Sequence, residues 1–361
     1  MKWRTVLGLS VLSMTVASCE KEEPPRHHHR ESETPAAPTG VQVDSAKVAL
    51  YAALPATADV KTNPSSPEKI ALGQMLFSET RLSKSQDISC NTCHVLGQNG
   101  MDGKDFSTGF AGAKLGRNTP TIYDSAVAFV QFWDGAAETT EDAIAAVLKK
   151  PPVMGAPSDK TITDTLTSMP AYVDAFKKAF PDDADAVSVK NTTLALAVFT
   201  RQLVTPSKWD KFVAGDATAL NDPEKQGFLK FVDTGCPTCH VGPLVGGTMY
   251  QKLGKEKPWP NQTDKGRSTV TKSGSDDMMF RVPSLRNIEH TGPYFHDASA
   301  KALDEAVKDM ATYQLAKTLS DDDAKSIVTW LDTLSAEVSP ALAKAPTLPA
   351  STAKTPKRVL K

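Results

Sequence analysis

The sequence CNTCH at residues 90–94 returns in the same form as CPTCH at residues 236–240, and this repeated Cys-x-x-Cys-His motif decides the fold. In a c-type haem site, two thiols bond to the porphyrin vinyl groups and the histidine that follows reaches the iron. A zinc ribbon keeps its cysteine pairs about 15–20 residues apart, and a redox dithiol needs no histidine after the second cysteine. Both alternatives are therefore disfavoured. The predicted haem attachment residues are Cys90, Cys93, Cys236 and Cys239, and the predicted iron ligands are His94 and His240.

Each motif follows a predicted helix. Ser66 and Pro67 are an N-cap and a first helical residue before an apolar run that ends at Phe77. A second run, at residues 222–232, aligns with it as a weak internal repeat in which Gly73 matches Gly227. Strand-like alternation is scarce, and further helices are predicted at residues 141–149, 171–180, 187–203, 303–315 and 321–334. The sequence predicts a mainly α fold with two cytochrome c-like domains, each carrying one covalently bound c-type haem.

Composition excludes several other classes of protein. The 361 residues include 41 lysines and arginines and 42 aspartates and glutamates, so the formal net charge of −1 argues against a nucleic-acid binder with a basic face. The apolar fraction of 40% is that of a globular chain with a substantial core. Five cysteines, four of them in two tight pairs, do not form the pattern of a disulfide-rich secreted fold.

The ends of the chain differ from its middle. Residues 1–19 have the form of an export signal, and Val16-Ala17-Ser18-Cys19 resembles the lipobox of bacterial lipoproteins. The alternative is an ordinary signal peptide with an incidental cysteine. Because residue 20 is Glu rather than Asp, the resemblance implies no inner-membrane retention, and we expect a periplasmic protein anchored to the outer membrane by lipid at Cys19. The predicted organisation is a signal peptide (1–19), a disordered tether (20–45), haem domains (46–205 and 206–336) and a flexible basic tail (337–361).

Six short segments carry a wider resemblance. They are Leu82-Ser83, Gly116 to Pro120, Gln131 to Gly135, Asp264 to Arg267, Val282 to Asn287, and Pro293 to Asp297. With the two haem motifs they make the chain, from about Ala46 to Ser335, resemble the bacterial di-haem cytochrome c peroxidase family. That family also contains the related enzyme that oxidises residues of methylamine dehydrogenase.

The resemblance implies roles for several residues. His94 and His240 match the proximal ligands of the N- and C-terminal haems, and Met310 matches the distal ligand of the C-terminal haem. A thioether ligand raises the reduction potential, so electrons would arrive at that haem. Trp133 matches the tryptophan between the haems and would relay electrons. The alternative for Met310 and Trp133 is a role in packing alone.

A calcium ion between the domains is also implied. Asn118, Thr291 and Pro293 match its side-chain and backbone ligands, and hard oxygen donors together with water suit this ion. Calcium there would fix the relative position of the haems.

Two positions depart from the family pattern. Phe110 stands where the family often has a distal histidine, and Val153 stands where it has a glutamate. Nearby, Ala143 and Val147 replace a glutamine and a proline. Cleavage of peroxide requires a proton to move between its oxygens, and a positioned acid–base group contributes typically about 10²–10⁴-fold to such steps. Valine cannot supply that group, so the catalytic residues are left unassigned.

Alternatives remain open at this site. One of the carboxylates of the following loop could replace the missing glutamate, or all of them could form a solvated helix face; these are Glu138, Glu141 and Asp142. One of three other side chains could ligate the first iron and close it; these are Met101, Lys114 and Met154.

The function implied is reduction of hydrogen peroxide to water with electrons from a small c-type cytochrome or a cupredoxin. One alternative is a non-enzymatic di-haem electron-transfer or redox-relay protein that has lost the peroxide acid–base site. Another is oxidation of a partner protein. The expected membrane contact is a lipid anchor only, no nucleic-acid partner is expected, and a homodimer is the habit of the family.

Overall fold

Helices dominate the part of the chain that the structure describes, and two short strands complete that part. The computed structural model describes residues 14–15 and 40–360, and residues from Gly40 onward form one compact unit. The helices are α1 (Ser45–Val48), α2 (Pro67–Phe77), α3 (Cys90–Cys93), α4 (Thr140–Leu148), α5 (Pro151–Met154), α6 (Asp159–Thr167), α7 (Pro170–Ala179), α8 (Val189–Thr200), α9 (Lys208–Val213), α10 (Asp222–Thr234), α11 (Ser268–Thr271), α12 (Leu303–Leu315), α13 (Asp321–Asp332) and α14 (Pro340–Ala343). Strands β1 (Tyr250–Lys252) and β2 (Met279–Arg281) pair antiparallel, with Gln251 opposite Phe280. The mainly α fold is confirmed.

Most of the N-terminal prediction cannot be compared with the structure. Apart from Met14 and Thr15, the predicted signal peptide with Cys19 lies outside the described residues, as does the tether up to residue 39. Within the part that is described, no helix is both long enough and apolar enough to cross a bilayer.

The internal repeat corresponds to the same helix crossing made twice. In the first half α2 packs on α8, and in the second half α10 packs on α13. A Cβ at Gly73 would lie 2.2 Å from the carbonyl oxygen of Ala195, and one at Gly227 would lie 2.1 Å from that of Ser326. Glycine is required at both crossings because the two backbones touch there. The aligned glycines in the sequence therefore mark equivalent contacts.

Two separate hydrophobic cores lie around these crossings. The first joins α2, α6, α7 and α8, and its fully buried side chains include Leu72, Tyr172, Phe176 and Phe199. The second is aromatic. Trp330 of α13 lies 4.5 Å from Phe231 and 5.3 Å from Trp209, measured between ring centroids. Each haem motif thus follows a helix that belongs to its own core.

Both ends of the described chain cross to the opposite core. Tyr51, before α2, packs edge-on against Trp209 and Phe228 of the second core, with centroid distances of 5.4 and 5.6 Å. Val338, after α13, is buried in the first core, and Leu342 of α14 packs there too. This differs from the predicted boundaries, which place residues 46–205 in one domain and treat residues 337–361 as a flexible tail. The tail consists largely of alanine, proline and threonine, a composition that does not indicate packing. The residues it packs against belong to the first half of the chain, which the local sequence cannot reveal.

Candidate haem sites

The second motif forms a tight turn after α10. The helix ends at Gly235, which has a φ of +101°, and residues Cys236–Thr238 continue as a 3₁₀ turn. The Nδ1 atom of His240 lies 3.0 Å from the carbonyl oxygen of Val245. Since a carbonyl only accepts, Nδ1 donates and Nε2 is left to bind a metal. Burial lowers the pKa of His240 to about 4, so the imidazole is neutral, as a ligand must be.

One cavity of about 230 Å³ gathers the residues predicted for the second haem. Cys236, Cys239 and His240 line it, and Met310 of α12 lines it as well. The remaining lining is mostly apolar and includes Phe231, Leu253, Leu303, Ile327 and Leu331. Thiols and an imidazole around one apolar space are what a covalently bound haem requires, and a thioether is one of the further ligands that haem iron accepts.

Two further polar groups of this cavity lack a partner for their charge or proton. His296 is buried, and no described residue forms a hydrogen bond with its Nε2 atom. Arg281 is half-buried, desolvation lowers the pKa of its guanidinium to about 10, and among the described residues its side chain donates only from Nε to the carbonyl of Phe132, at 3.2 Å. The propionate groups of a haem are carboxylates that would accept from both. The residues present therefore fit the group.

Sequence reasoning gave no role to either side chain. His296 served only as a landmark within a family segment. Arg281 interrupts the apolar run of residues 278–282, and a charge inside such a run is the signal that could have identified it.

The first motif is a short helix with a capping box. In α3 the side chains of Ser89 and Thr92 cap each other's backbone, and Cys93 is buried. The Nδ1 atom of His94 lies 3.3 Å from the carbonyl oxygen of Gly100, and burial lowers the pKa of this imidazole below its ordinary value. His94 thus shares the neutral state and the backbone carbonyl contact of His240.

The thiol pKa values argue against a redox dithiol at either motif. Burial raises the pKa of Cys90 and of Cys236 to about 12 in each case. Reactive dithiols work through a lowered thiol pKa, because the thiolate is the nucleophile. These cysteines are suited to permanent thioether bonds.

Trp133 joins the halves of the chain at the edge of the cavity. Its Nε1 donates to the carbonyl oxygen of Asn118 at 2.9 Å, and its own carbonyl accepts from the Arg281 amide at 2.8 Å. Its ring lies edge-on to that of His296, with 6.3 Å between the centroids, and His296 in turn lies 4.4 Å from Phe280. A connected set of aromatic rings therefore reaches the second cavity.

The residues predicted to bind calcium lie around the same space. Asn118, Thr291 and Pro293 all line the cavity. The side-chain nitrogen of Asn118 donates to the carbonyl of Lys104 at 2.9 Å, so its oxygen is turned away from that bond. No cluster of three or more His, Cys, Asp or Glu side chains able to hold a metal occurs among the described residues, and the predicted donors are oxygens of other kinds.

The two departures from the family pattern lie close together. Val153 is on α5, and Phe110 lies in a 3₁₀ turn; both pack against the first core. A Cβ on Gly155 would lie 2.7 Å from the Phe110 ring and from the Cβ of Lys84. Residue 155 therefore has no room for a side chain, and the backbone of Gly155 packs closely against Phe110 and Lys84.

The alternative acids of this region have other partners. Glu141 accepts from Arg201 at 2.5 Å and from Asn63 at 2.9 Å, and Asp142 caps α4 through Thr139. Glu138 is exposed.

The alternative iron ligands are engaged as well. Met154 is buried in the first core, and the Met101 sulfur accepts from the Gly103 amide at 3.1 Å. The ammonium of Lys114 lies 4.7 Å from the centroid of the Phe106 ring.

Two histidine-containing thiol motifs, each on its own helical core, define a c-type cytochrome with two haem sites. Comparison with known proteins identifies the family. Residues 67–218 match the model of the di-haem cytochrome c peroxidase family, described as CCP_MauG. The chain is 41% identical to the cytochrome c551 peroxidase of Nitrosomonas europaea over 81% of this chain and 87% of that protein. It is 38% identical to the cytochrome c551 peroxidase of Pseudomonas aeruginosa over 90% and 94%.

Another relative and a solved structure widen the comparison. The methylamine utilization protein MauG of Methylorubrum extorquens is 31% identical over 80% of this chain and 84% of its own length. The crystal structure of a MauG-like protein associated with microbial copper homeostasis superposes with a TM-score of 0.72 at 25% identity, covering 81% of this chain and 97% of that one. The chain belongs to the di-haem cytochrome c peroxidase family, whose cofactors are two haems of the c type. The predicted family and the predicted cytochrome c-like fold are confirmed.

Proposed function

We propose that this protein reduces hydrogen peroxide to water, using electrons from a small c-type cytochrome or a cupredoxin. Its support is membership of a family whose relatives at 41% and 38% identity are named cytochrome c551 peroxidases. The observation that carries the proposal is the single cavity lined by Cys236, Cys239, His240 and Met310, with Trp133 at its edge.

The residues have distinct roles in this proposal. Bound haem supplies the one-electron chemistry at its iron. Cys90 and Cys93 would hold the first haem, with His94 as its histidine ligand, and Cys236, Cys239 and His240 would do the same for the second. Met310, on the same cavity wall, would supply a thioether ligand to that haem, and such a ligand would raise the reduction potential and favour the arrival of electrons there. Trp133 relays them towards the first haem.

Calcium completes the proposed cofactor set. Asn118, Thr291 and Pro293 would supply oxygen donors, with water filling the remaining positions. Support comes from their shared place on the cavity wall and from the Asn118 amide nitrogen being already bonded to Lys104.

A second candidate function is supported by the distal positions. Phe110 and Val153 provide no proton donor or acceptor, and Glu141 and Asp142 are bonded elsewhere. Under this alternative the protein passes electrons between partners without reducing peroxide.

The proposed location is the periplasm, with a lipid anchor at Cys19 in the outer membrane. Its support is the lipobox-like sequence at residues 16–19. A homodimer, the habit of the family, is the proposed assembly.

One experiment separates the two functions. Purified half-reduced protein is mixed with hydrogen peroxide and a reduced cytochrome, and oxidation of the cytochrome is followed by absorbance. Turnover comparable to that of a working family member supports the peroxidase. Turnover at the background of free haem supports the electron-transfer protein, provided that Val153→Glu restores activity. Val153→Gln is the matched control, because glutamine has nearly the same shape as glutamate but carries no carboxyl group.

A further inference from the structure

Residues 338–359, here called the C-terminal strap, run back across the first half of the molecule. The strap begins at Val338, which is buried in the first core, and continues through α14. The strap follows α13 in the chain, and the α13 residues Ile327 and Leu331 line the cavity of the second haem motif. The strap therefore connects an element of the second site to the surface of the first domain.

Hydrogen bonds hold the strap along its length. Arg81 donates to the Pro349 carbonyl and to the Ser351 hydroxyl, each at 2.9 Å, and is itself held by buried Glu79. Further bonds run from Gln74 to the Ala341 carbonyl, from Gln86 to the Pro356 carbonyl and from Thr352 to the Ser168 carbonyl, each at 2.8 Å. Partners from four separate positions of the first domain fix the path of the strap.

The strap ends beside the apolar positions of the first haem site. The Val359 amide donates to the Lys84 carbonyl at 2.9 Å, and the Lys84 amide donates to the Met154 carbonyl at 2.9 Å. The ammonium of Lys84 lies 5.5 Å from the centroid of the Phe110 ring. Lys84 is thus held between the strap on one side and α5 with Phe110 on the other.

We propose that the C-terminal strap is a positioning element for the distal loop of the first haem, defined as residues 151–155 together with Phe110. By holding Lys84 against this loop, the strap keeps Phe110 and Met154 packed and slows the access of external ligands to the first iron. The inference rests on the proposed function for the placement of the first haem. It adds control of the rate at which external ligands reach the first iron, exerted by a segment that is distant from the distal loop in sequence.

The test uses the complete holoprotein and two kinds of variant. A stop after residue 344 removes most of the strap but keeps Val338 and Leu342 in the core. Val359→Pro removes the backbone N–H that donates to the Lys84 carbonyl and keeps the rest of the strap. Val359→Ala is its matched control because it keeps that N–H. A stop after residue 359 is the control for truncation.

The measurement is the rate of cyanide binding to the ferric protein, followed by absorbance. Because a hydrogen bond contributes a modest net free energy, we expect about a twofold increase for Val359→Pro and about a tenfold increase for the stop after residue 344. Both controls should match the parent protein. The absorption of the second haem should stay unchanged, which a general loss of packing would not allow. Amide exchange at residues 150–158 should accelerate in the same two variants.

The inference is overturned if cyanide binding and amide exchange are unchanged in both variants. If the longer truncation fails to fold, the comparison of Val359→Pro with Val359→Ala decides. Failure of the proposed haem placement is seen separately, as the absence of haem on the peptide that contains Cys90 and Cys93. Peroxidase turnover at background with accelerated cyanide binding would overturn the peroxidase and support the strap.

Discussion

Trp133 donates from its indole nitrogen to the backbone carbonyl of Asn118 at 2.9 Å, which ties the proposed electron relay to a proposed calcium ligand. The backbone N–H of the same Asn118 donates to the backbone carbonyl of His296, whose ring lies edge-on to Trp133. Asn118 therefore contacts both Trp133 and His296, whose rings meet at the cavity of the second haem motif.

Replacing the indole should slow electron transfer between the haems. Trp133→Phe keeps an aromatic ring but loses the bond to Asn118, and we expect at least about a tenfold drop in rate, equivalent to about 1.4 kcal/mol. Stopped-flow absorbance of the half-reduced protein measures it. Trp259→Phe is the matched control, since Trp259 also donates an indole hydrogen bond, to Asp297, but does not line the cavity. Equal rates for the parent and Trp133→Phe would remove the relay role.

Calcium should stabilise the parent protein through Asn118. A ligand that binds only the folded state at 100 times its Kd adds about 2.7 kcal/mol of stability. We expect calcium to raise the Tm of the parent, chelation to lower it, and Asn118→Ala to abolish the difference. Asn261→Ala, at an exposed position, is the control and should respond as the parent does. A calcium response that survives in Asn118→Ala would contradict this assignment.

The two helix crossings should not tolerate a methyl group. Gly73→Ala and Gly227→Ala would each place a carbon about 2 Å from a carbonyl oxygen of the facing helix. Overpacking of this kind costs about 1–3 kcal/mol, measured as the free energy of unfolding in denaturant. Gly274→Ala serves as control because nothing lies within 4 Å of its added carbon. Equal stability of all three variants would mean that the helices move apart freely.

The buried pair of Arg286 and Asp210 should give an acid-sensitive contribution to stability. Burial alone would raise the pKa of Asp210, but the two hydrogen bonds from Arg286, at 2.6 and 2.9 Å, outweigh it and hold the pKa below its ordinary value. The contribution is fully present above the unfolded pKa of about 3.9, and it is lost as the pH falls through the lower folded value. Breaking such a pair costs about 3–5 kcal/mol.

Unfolding of Asp210→Asn measured at pH 7 and below pH 4 tests this sign. The deficit relative to the parent should be large at pH 7 and shrink in acid. Asp164→Asn, which breaks the exposed pair with Lys160, should change stability by less than about 1 kcal/mol at either pH. A deficit that grows in acid would show that the sign is wrong.

Residues that carry chemistry were easier to predict from sequence than residues that carry contacts. The motif cysteines with His94 and His240 have the pattern typical of c-type haem attachment, and the helices around Gly73 and Gly227 have clear starts. The strap partners of Arg81 and Gln74 could not be predicted, because apart from the Ser351 hydroxyl they are backbone carbonyls and any residue supplies a carbonyl. His296 and Arg281 were missed for a related reason. The Nε2 atom of His296 has no hydrogen-bond partner among the described residues, and the Arg281 guanidinium has no carboxylate partner there; only the folded structure reveals this.

The exchange of chain ends between the two cores has a consequence for how this protein can be divided. A gene cut after residue 205 would produce one fragment without Val338 and Leu342 and another without Tyr51, so each would lack part of its own interior. Neither fragment is expected to fold stably alone. Produced together, the two halves would complete each other, as the parts of a split reporter do.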